Sequence, residues 1–275
     1  MTFKYIDTHA HLNLAQFAED KEAVIKKNHE ESVAVINVGT RKETSQLAVD
    51  IAHKYADNWA IVGIHPLNVV TADPDDHGAT EPESKLDYEW YKKLAQDAKV
   101  VGIGECGFDY FHHPDSTYEL QREVFANQIA LANEVGKPLM LHLRNSKDGK
   151  GRNAYADALD ILKNEAKVPG NAHFYAGTPE QAKAFFELGY TISFTGVITF
   201  AKDYEPLVKD VPLDMIHAET DCPYVAPVPY RGQRCEPHMV IEVYKKIAEL
   251  KEMDEETVRE QMVKNAQKLY KLWKK

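Results

Sequence analysis

His9 and His11 stand two residues apart, and Glu105, His142, His173 and Asp221 follow at long intervals along the same chain. Imidazole nitrogens and carboxylate oxygens are ligands for Zn²⁺, Mn²⁺, Fe²⁺ or Mg²⁺. On an extended strand positions i and i+2 share a face, so His9 and His11 can reach one ion together. Glu105 has two oxygens and can bridge two ions, with Asp221 completing one site and His142 and His173 the other. The cofactor expected is therefore two divalent ions per chain (Mg²⁺, Mn²⁺ or Zn²⁺). A lone strand-end histidine is more often a hydrogen-bonded structural residue than a ligand. The joint pattern outweighs that, because each polar group buried without a partner costs about 1–3 kcal/mol, and a cation removes the penalty.

Elements must bring position 9 and position 221 to one place. Short runs rich in Val, Ile, Leu and aromatics predict strands at Phe3–Asp7, Val33–Val38, Trp59–Ile64, Val100–Glu105, Leu139–His142, Asn171–Phe174, Tyr190–Phe194 and Met215–Glu219. Helical patterns lie between and after them, at Glu19–Glu31, Thr44–Tyr55, Tyr118–Val135, Ala154–Ala166, Pro179–Leu188, Pro237–Leu250 and Glu255–Trp273. Gly136-Lys137-Pro138 stops the third of these, and Asp254 is placed as an N-cap with Thr257 three residues on, an incomplete capping box. Alternation of this kind predicts an α/β chain folded as one (β/α)₈ TIM-type barrel over residues 1–275, with steps of about 30 residues, the size of one βαβ unit. A doubly wound sheet would carry a glycine-rich turn after its first strand, where this chain has Asp7-Thr-His-Ala-His11. In a parallel barrel all strands end at one mouth, where active sites form. Thr71–Ser84 and Asn145–Asn153 are expected to be surface loops.

The chain has 275 residues and a formal charge of −10, with 44% hydrophobic and 28% charged residues. This is the balance of a globular chain rather than a disordered one. A pI near 5.7 excludes a protein that coats nucleic acid by basic charge alone, so any contact with phosphates must be local, as bound cations would make it. Cys106, Cys222 and Cys235 are too few and scattered for a disulfide framework and suit a reducing compartment. With no apolar run of membrane-spanning length and no signal-peptide layout, a cytoplasmic protein without a membrane partner is expected.

Asp7-Thr-His-Ala-His-Leu12, Gly63-Ile-His-Pro66, Gly102-Ile-Gly-Glu-Cys-Gly-Phe-Asp-Tyr110, Leu141-His-Leu-Arg144 and Glu219-Thr-Asp-Cys-Pro-Tyr224 together resemble the motifs of the TatD family, metal-dependent deoxyribonucleases of the amidohydrolase superfamily. The matches run through nearly the whole chain in the family's order. The resemblance implies His9, His11, Glu105 and Asp221 around one metal, and Glu105, His142 and His173 around the other. Glu105 stands where related barrel hydrolases carry a bridging carboxylated lysine, which favours the TatD branch over the lactonases and phosphotriesterases. Departures occur at Cys222, where the family commonly has Ser, at Cys235 in place of Asn, at Phe174-Tyr-Ala-Gly177, and at His112, where an arginine often follows the Asp-Tyr pair.

The expected activity is hydrolysis of phosphodiester bonds in DNA by a metal-activated water, exonucleolytic on single-stranded or 3′ ends, with Asp221 as the base and Glu105 as the bridge. His65, Arg144, Arg231 and Arg234 are the candidate substrate contacts. Tyr110 and Phe111 are read as packing, and Cys106 and Cys222 as pointing away from the metals. His112 and His113 carry no assignment; His29, His53, His77, His217 and His238 are read as surface or packing residues. The alternative is the same machinery acting on an ester or amide, as in an aminoacyl-tRNA deacylase, since a fold does not fix its substrate. A non-catalytic metal-dependent scaffold is a third reading, against which Asp221 beside the ligand set argues. No obligate protein partner is evident.

Overall fold

In the computed structural model, which describes residues 3–73, 75–76 and 78–273, eight parallel strands pair in sequence order. They are β1 (Tyr5–Ala10), β2 (Val33–Val38), β3 (Asn58–Val62), β4 (Val100–Asp109), β5 (Leu139–Arg144), β6 (Gly170–Ala172), β7 (Thr191–Phe194) and β8 (Ile216–Ala218). The first and last meet through an Ala10–Cys222 bridge, and the Asp221 N–H donates to the His9 carbonyl at 2.9 Å. The ring thus comes close to complete closure, and the α/β barrel read from the alternation of elements is the fold observed.

The helices are α1 (Lys21–Glu30), α2 (Lys42–Lys54), α3 (Pro66–Val70), α4 (Tyr88–Ala95), α5 (Tyr118–Val135), α6 (Ala154–Glu165), α7 (Pro179–Glu187), α8 (Glu205–Asp210), α9 (Val240–Lys251) and α10 (Glu255–Tyr270). Several ends follow local chemistry. Gly136 ends α5 in the left-handed conformation at φ +66°, and the Asp254 side chain caps α10 by accepting from the Thr257 N–H at 2.9 Å. Helices α3, α4 and α8 are additions to the sequence reading. The first two flank the acidic segment after β3, of which Pro74 and His77 lie outside the described residues. Among the described residues no helix is long and apolar enough to cross a membrane.

Strand parity sorts the apolar residues into two layers. Val33, Val35, Ala60, Val62, Leu139 and Leu141 face the helices outside. Ile6, Ala34, Ile36, Val38, Ile61, Val101 and Met140 point into the ring, where Ala266, Leu269, Tyr270 and Leu272 from α10 and the residues after it seal the base. Further along β1, β4 and β5 the inward positions turn polar, at His9, Glu105 and His142.

Strand β4 departs most from its expected limits. The apolar run predicts an end at Glu105, but the strand continues to Asp109, so Glu105 sits inside it rather than at its end. Gly104 and Gly107, at φ +149° and +138°, let it run against β5: a Cβ at Gly107 would lie 2.3 Å from the His142 carbonyl oxygen. The pairing register shifts between Ile103 and Cys106, and this irregularity is where the chain aims Glu105 at the barrel axis.

Candidate metal centre

Strand β1 supplies the first two ligand candidates. A register shift between Asp7 and Ala10 turns His9 and His11 inward together, with Nε2 atoms 3.0 Å apart. His11 is fixed behind by its Nδ1, 2.9 Å from the Val38 carbonyl, which therefore accepts its proton and leaves Nε2 with a lone pair. Asp221 arrives from the turn after β8. Its backbone takes φ +56°, a left-handed conformation that Asp tolerates better than most side chains. Its Oδ1 lies 3.4 Å from His11 Nε2 and 3.7 Å from His9 Nε2. Glu105 Oε2 lies 3.3 Å from His9 Nε2 and 3.8 Å from His11 Nε2.

These separations test whether a cation fits. Donors at ~2.0–2.1 Å from an ion are ~3.3–3.4 Å apart in a tetrahedron and ~2.9–3.0 Å apart at adjacent corners of an octahedron. The observed spacings, 3.0 to 3.8 Å, begin within that range and run somewhat beyond it. His9, His11 and Glu105 form one set whose ligand atoms all lie within 4.8 Å of one another, and His9, His173 and Asp221 form a second, so the residues present fit a cation.

The other oxygen of Glu105 faces a second set. Oε1 is 2.7 Å from His173 Nε2, 2.9 Å from His142 Nδ1 and 3.4 Å from His65 Nε2. The His142 and His173 nitrogens are 3.3 Å apart. Glu105 therefore presents one oxygen to each group, the disposition of a bridging carboxylate. The two groups are contiguous, since the His9 and His173 rings stack at 3.9 Å between centroids. His65, read as a substrate contact at the end of β3, instead caps α3, its Nδ1 accepting from the Leu67 N–H at 3.1 Å, and its Nε2 joins the cluster.

Burial and mutual charge set the protonation states. Burial alone would raise the Glu105 carboxyl, but His173, His65 and His9 around it hold it well below the usual carboxylate range. Burial would likewise raise Asp221, yet His11, His9 and His173 beside it keep it low. His9 is pushed down by burial and by the neighbouring His173, which favours the neutral form that binds a metal. His142 and His173 are held up, against burial, by the carboxylates they face.

Three carboxylates that the sequence reading left without a role hold this ring in place. Asp109 Oδ2 accepts from His142 Nε2 at 3.0 Å and from His112 Nδ1 at 2.8 Å. Glu219 Oε1 lies 3.4 Å from His173 Nδ1 and accepts from the Phe174 N–H at 2.6 Å. Asp7, a fully buried residue of β1, accepts from the Thr220 hydroxyl at 2.5 Å and from the Thr220 N–H at 2.9 Å, tying down the turn that carries Asp221. The first was findable: Glu105, residue 107 and Asp109 alternate on one face of a strand, and Asp109 lay inside a quoted motif.

The arginines meet different fates. Arg234 does not join the cluster; its guanidinium is held by Asp20 at 2.6 and 2.9 Å, Glu236 at 3.2 Å and the Gln16 carbonyl. Arg144 and Arg231 are exposed, on β5 and on the segment after β8. Tyr110 is packed, its hydroxyl donating to Asp157 at 2.8 Å. Cys106 and Cys222 are buried free thiols, pushed well up by burial, so neither is a ready nucleophile.

Known proteins share this arrangement's fold and sequence. The family model described as TatD related DNase matches residues 6–271. The uncharacterized metal-dependent hydrolase YabD of Bacillus subtilis is 37% identical over 271 residues, covering 97% of this chain and 98% of its own length. A further one, MJ1582 of Methanocaldococcus jannaschii, is 30% identical over 269 residues, covering 98% of this chain and 97% of its own. Among solved structures, YjjV, a TatD homologue of Escherichia coli, has a TM-score of 0.83 at 24% identity, covering 99% of this chain and all of that one, and supports the fold alone. A match over almost the full barrel, with relatives that carry the name of metal-dependent hydrolases, places this chain in the TatD family of metal-dependent hydrolases.

Proposed function

We propose that the protein hydrolyses phosphodiester bonds in DNA, working at single-stranded ends, with two divalent cations (Mg²⁺, Mn²⁺ or Zn²⁺) held by His9, His11, Glu105 and Asp221 on one side and by Glu105, His142 and His173 on the other. The observation that carries the reading is Glu105, whose two oxygens face two separate histidine sets. Bound divalent cations would acidify a water and offset phosphoryl charge. The rest falls to the chain. Asp221, kept ionised by its histidine neighbours, is the group that takes a proton from the attacking water. Asp109 and Glu219 hold His142 and His173 in orientation. His65, at the edge of the second set, is in position to donate to a phosphoryl oxygen. The name of the family model supports a DNA substrate.

The test strips the protein with chelator, then restores Mg²⁺, Mn²⁺ or Zn²⁺ separately in the presence of end-labelled single-stranded DNA. Cleavage should appear only with added metal. Glu105→Ala and Asp221→Asn should each lose several orders of magnitude in rate while remaining folded. Turnover of an aminoacyl ester with no diester hydrolysis would move the substrate to an ester or amide. Wild-type rates in Asp221→Asn would remove that residue as the base.

A further inference from the structure

The arginines divide by their partners. Arg41, Arg122, Arg152, Arg234 and Arg259 each lie against a carboxylate, namely Glu43, Glu165, Asp157, Asp20 and Glu256. Arg144 and Arg231 have no carboxylate partner among the described residues, although the chain carries 43 acidic residues to 33 basic ones. Each instead stacks on a phenylalanine: Arg144 Cζ is 3.8 Å from the Phe111 ring centroid, and Arg231 Cζ is 3.9 Å from that of Phe200. Arg152 and Arg234 also stack, on Tyr118 and Phe17, but carboxylates fill their N–H edges. Stacking fixes a guanidinium by its face and leaves its edge free for a phosphate. Arg231 is fixed further by donating one N–H to the Ala226 carbonyl at 2.9 Å. Lys147, likewise without a carboxylate among the described residues, lies 4.5 Å from the Phe111 ring centroid.

Both pairs stand at the mouth, on different arcs of the ring. Arg144 follows His142 by two residues on β5 and so shares its face. Phe111 follows Asp109, the residue that holds His142, by two. The second pair belongs to the segments after β7 and β8. There the Tyr224 N–H donates to the Asp221 carbonyl at 3.0 Å, and the Val228 N–H to Thr199 Oγ1 at 2.9 Å. Phe200 is 41% exposed, which leaves part of its ring open to a base. The Glu105 cluster has a member on each of these arcs, His142 on β5 and Asp221 after β8.

We propose that Arg144–Phe111 and Arg231–Phe200 are two subsites for the phosphates on either side of the scissile one, so that the substrate lies as a single strand across the mouth. This rests on the phosphodiester reading above and adds a length requirement to it: full affinity needs three consecutive phosphates.

The test measures KM on single-stranded oligonucleotides with one, two, three and more phosphates, using metal-loaded wild type, Arg144→Ala, Arg231→Ala and the double variant. In parallel, fluorescence anisotropy follows binding of a phosphorothioate-protected strand as salt is raised. Wild-type KM should fall with each phosphate up to three. Each single variant should lose one step of that gain, with KM on long strands rising about tenfold. The slope of log affinity against log salt should shrink by ~0.7 per arginine removed. Cleavage with no length dependence, or variants that keep the whole gain and slope, would overturn the subsites and leave the hydrolase reading standing. An equal loss on the one-phosphate substrate would also overturn them, by putting the arginines on the scissile phosphate itself. Salt slopes that shrink as stated, with no diester cut under any metal, would uphold the subsites and sink the hydrolase reading. Neither binding nor cleavage would remove both.

Discussion

At one end of the barrel the inward positions hold His9, His11, Glu105, His142 and His173; at the other they hold Ile6, Ile36, Ile61, Val101 and Met140. Strands β1, β4 and β5 supply both ends, with Ile6 three residues from His9, Val101 four from Glu105 and Met140 two from His142. The base is closed by apolar side chains from α10 and gains from burial in proportion to area. The mouth gathers charges in a water-poor place, where each group depends on its partners to offset desolvation. Stability is therefore concentrated in the base and chemistry in the mouth, and the two should separate under mutation.

The sharpest break of that division is Ile36→Ala. Ile36 is fully buried in the base, so the change should cost about 2–5 kcal/mol in urea denaturation and leave the rate per folded molecule as it was. A large fall in that rate would show that the two ends are mechanically coupled. The base also has one acid-sensitive spot. His217, whose Nε2 lies 2.9 Å from the Thr191 hydroxyl, is pushed down by burial from 6.5 to about 4. The unfolded chain takes up this proton near 6.5 and the folded one only near 4. Stability is thus full above the upper value and lost as pH falls through that window, by up to about 3 kcal/mol. His217→Gln should flatten the pH dependence there relative to wild type, and parallel curves would assign the acid loss to the mouth alone.

At the mouth, Asp109→Asn keeps the shape and removes the charge that orients His142. Metal affinity, read by competition with a chromophoric chelator, should fall about 10–100-fold, while the urea midpoint of the metal-free protein moves little. An unchanged affinity would make Asp109 a mere anchor for the His112 turn. The smallest effect is expected at Tyr270, a base residue whose hydroxyl is buried with no partner among the described residues. Tyr270→Phe should be close to neutral or slightly stabilising, because no hydrogen bond is lost. A loss above about 1 kcal/mol would reveal a buried water holding that hydroxyl.

The division between the ends also explains what could be read from residues alone. Apolar runs mark the strands because both faces of a barrel strand are buried; β2 is read at Val33–Val38, its observed limits. The six ligand candidates converge because their types are rare at such positions and the fold brings strand ends together. Positions within the cluster were harder. Glu105 and His142 lie inside strands rather than at their ends, since glycines and register shifts on β4 are tertiary features with no local signature. Asp7, Asp109 and Glu219 escaped because a carboxylate that orients a histidine looks, in sequence, like any other carboxylate. Arg234 misled for the opposite reason: its neighbours Asp20 and Glu236 come from parts of the chain whose proximity only the fold creates. Short helices such as α4, capped by Asp87, were hidden by their length, since two turns leave little periodicity to detect.

The plug formed by α10 sets an order of events in the life of the chain. Leu269, Tyr270 and Leu272 complete an interior whose other walls come from β1 to β5, so the first strands cannot shut out water until residues beyond 265 are available to them. A nascent chain stalled before that point would present an open funnel lined with isoleucine and valine, a surface suited to chaperones and prone to self-association. Nicking or deletion near residue 265 should therefore be more damaging than its distance from the mouth suggests.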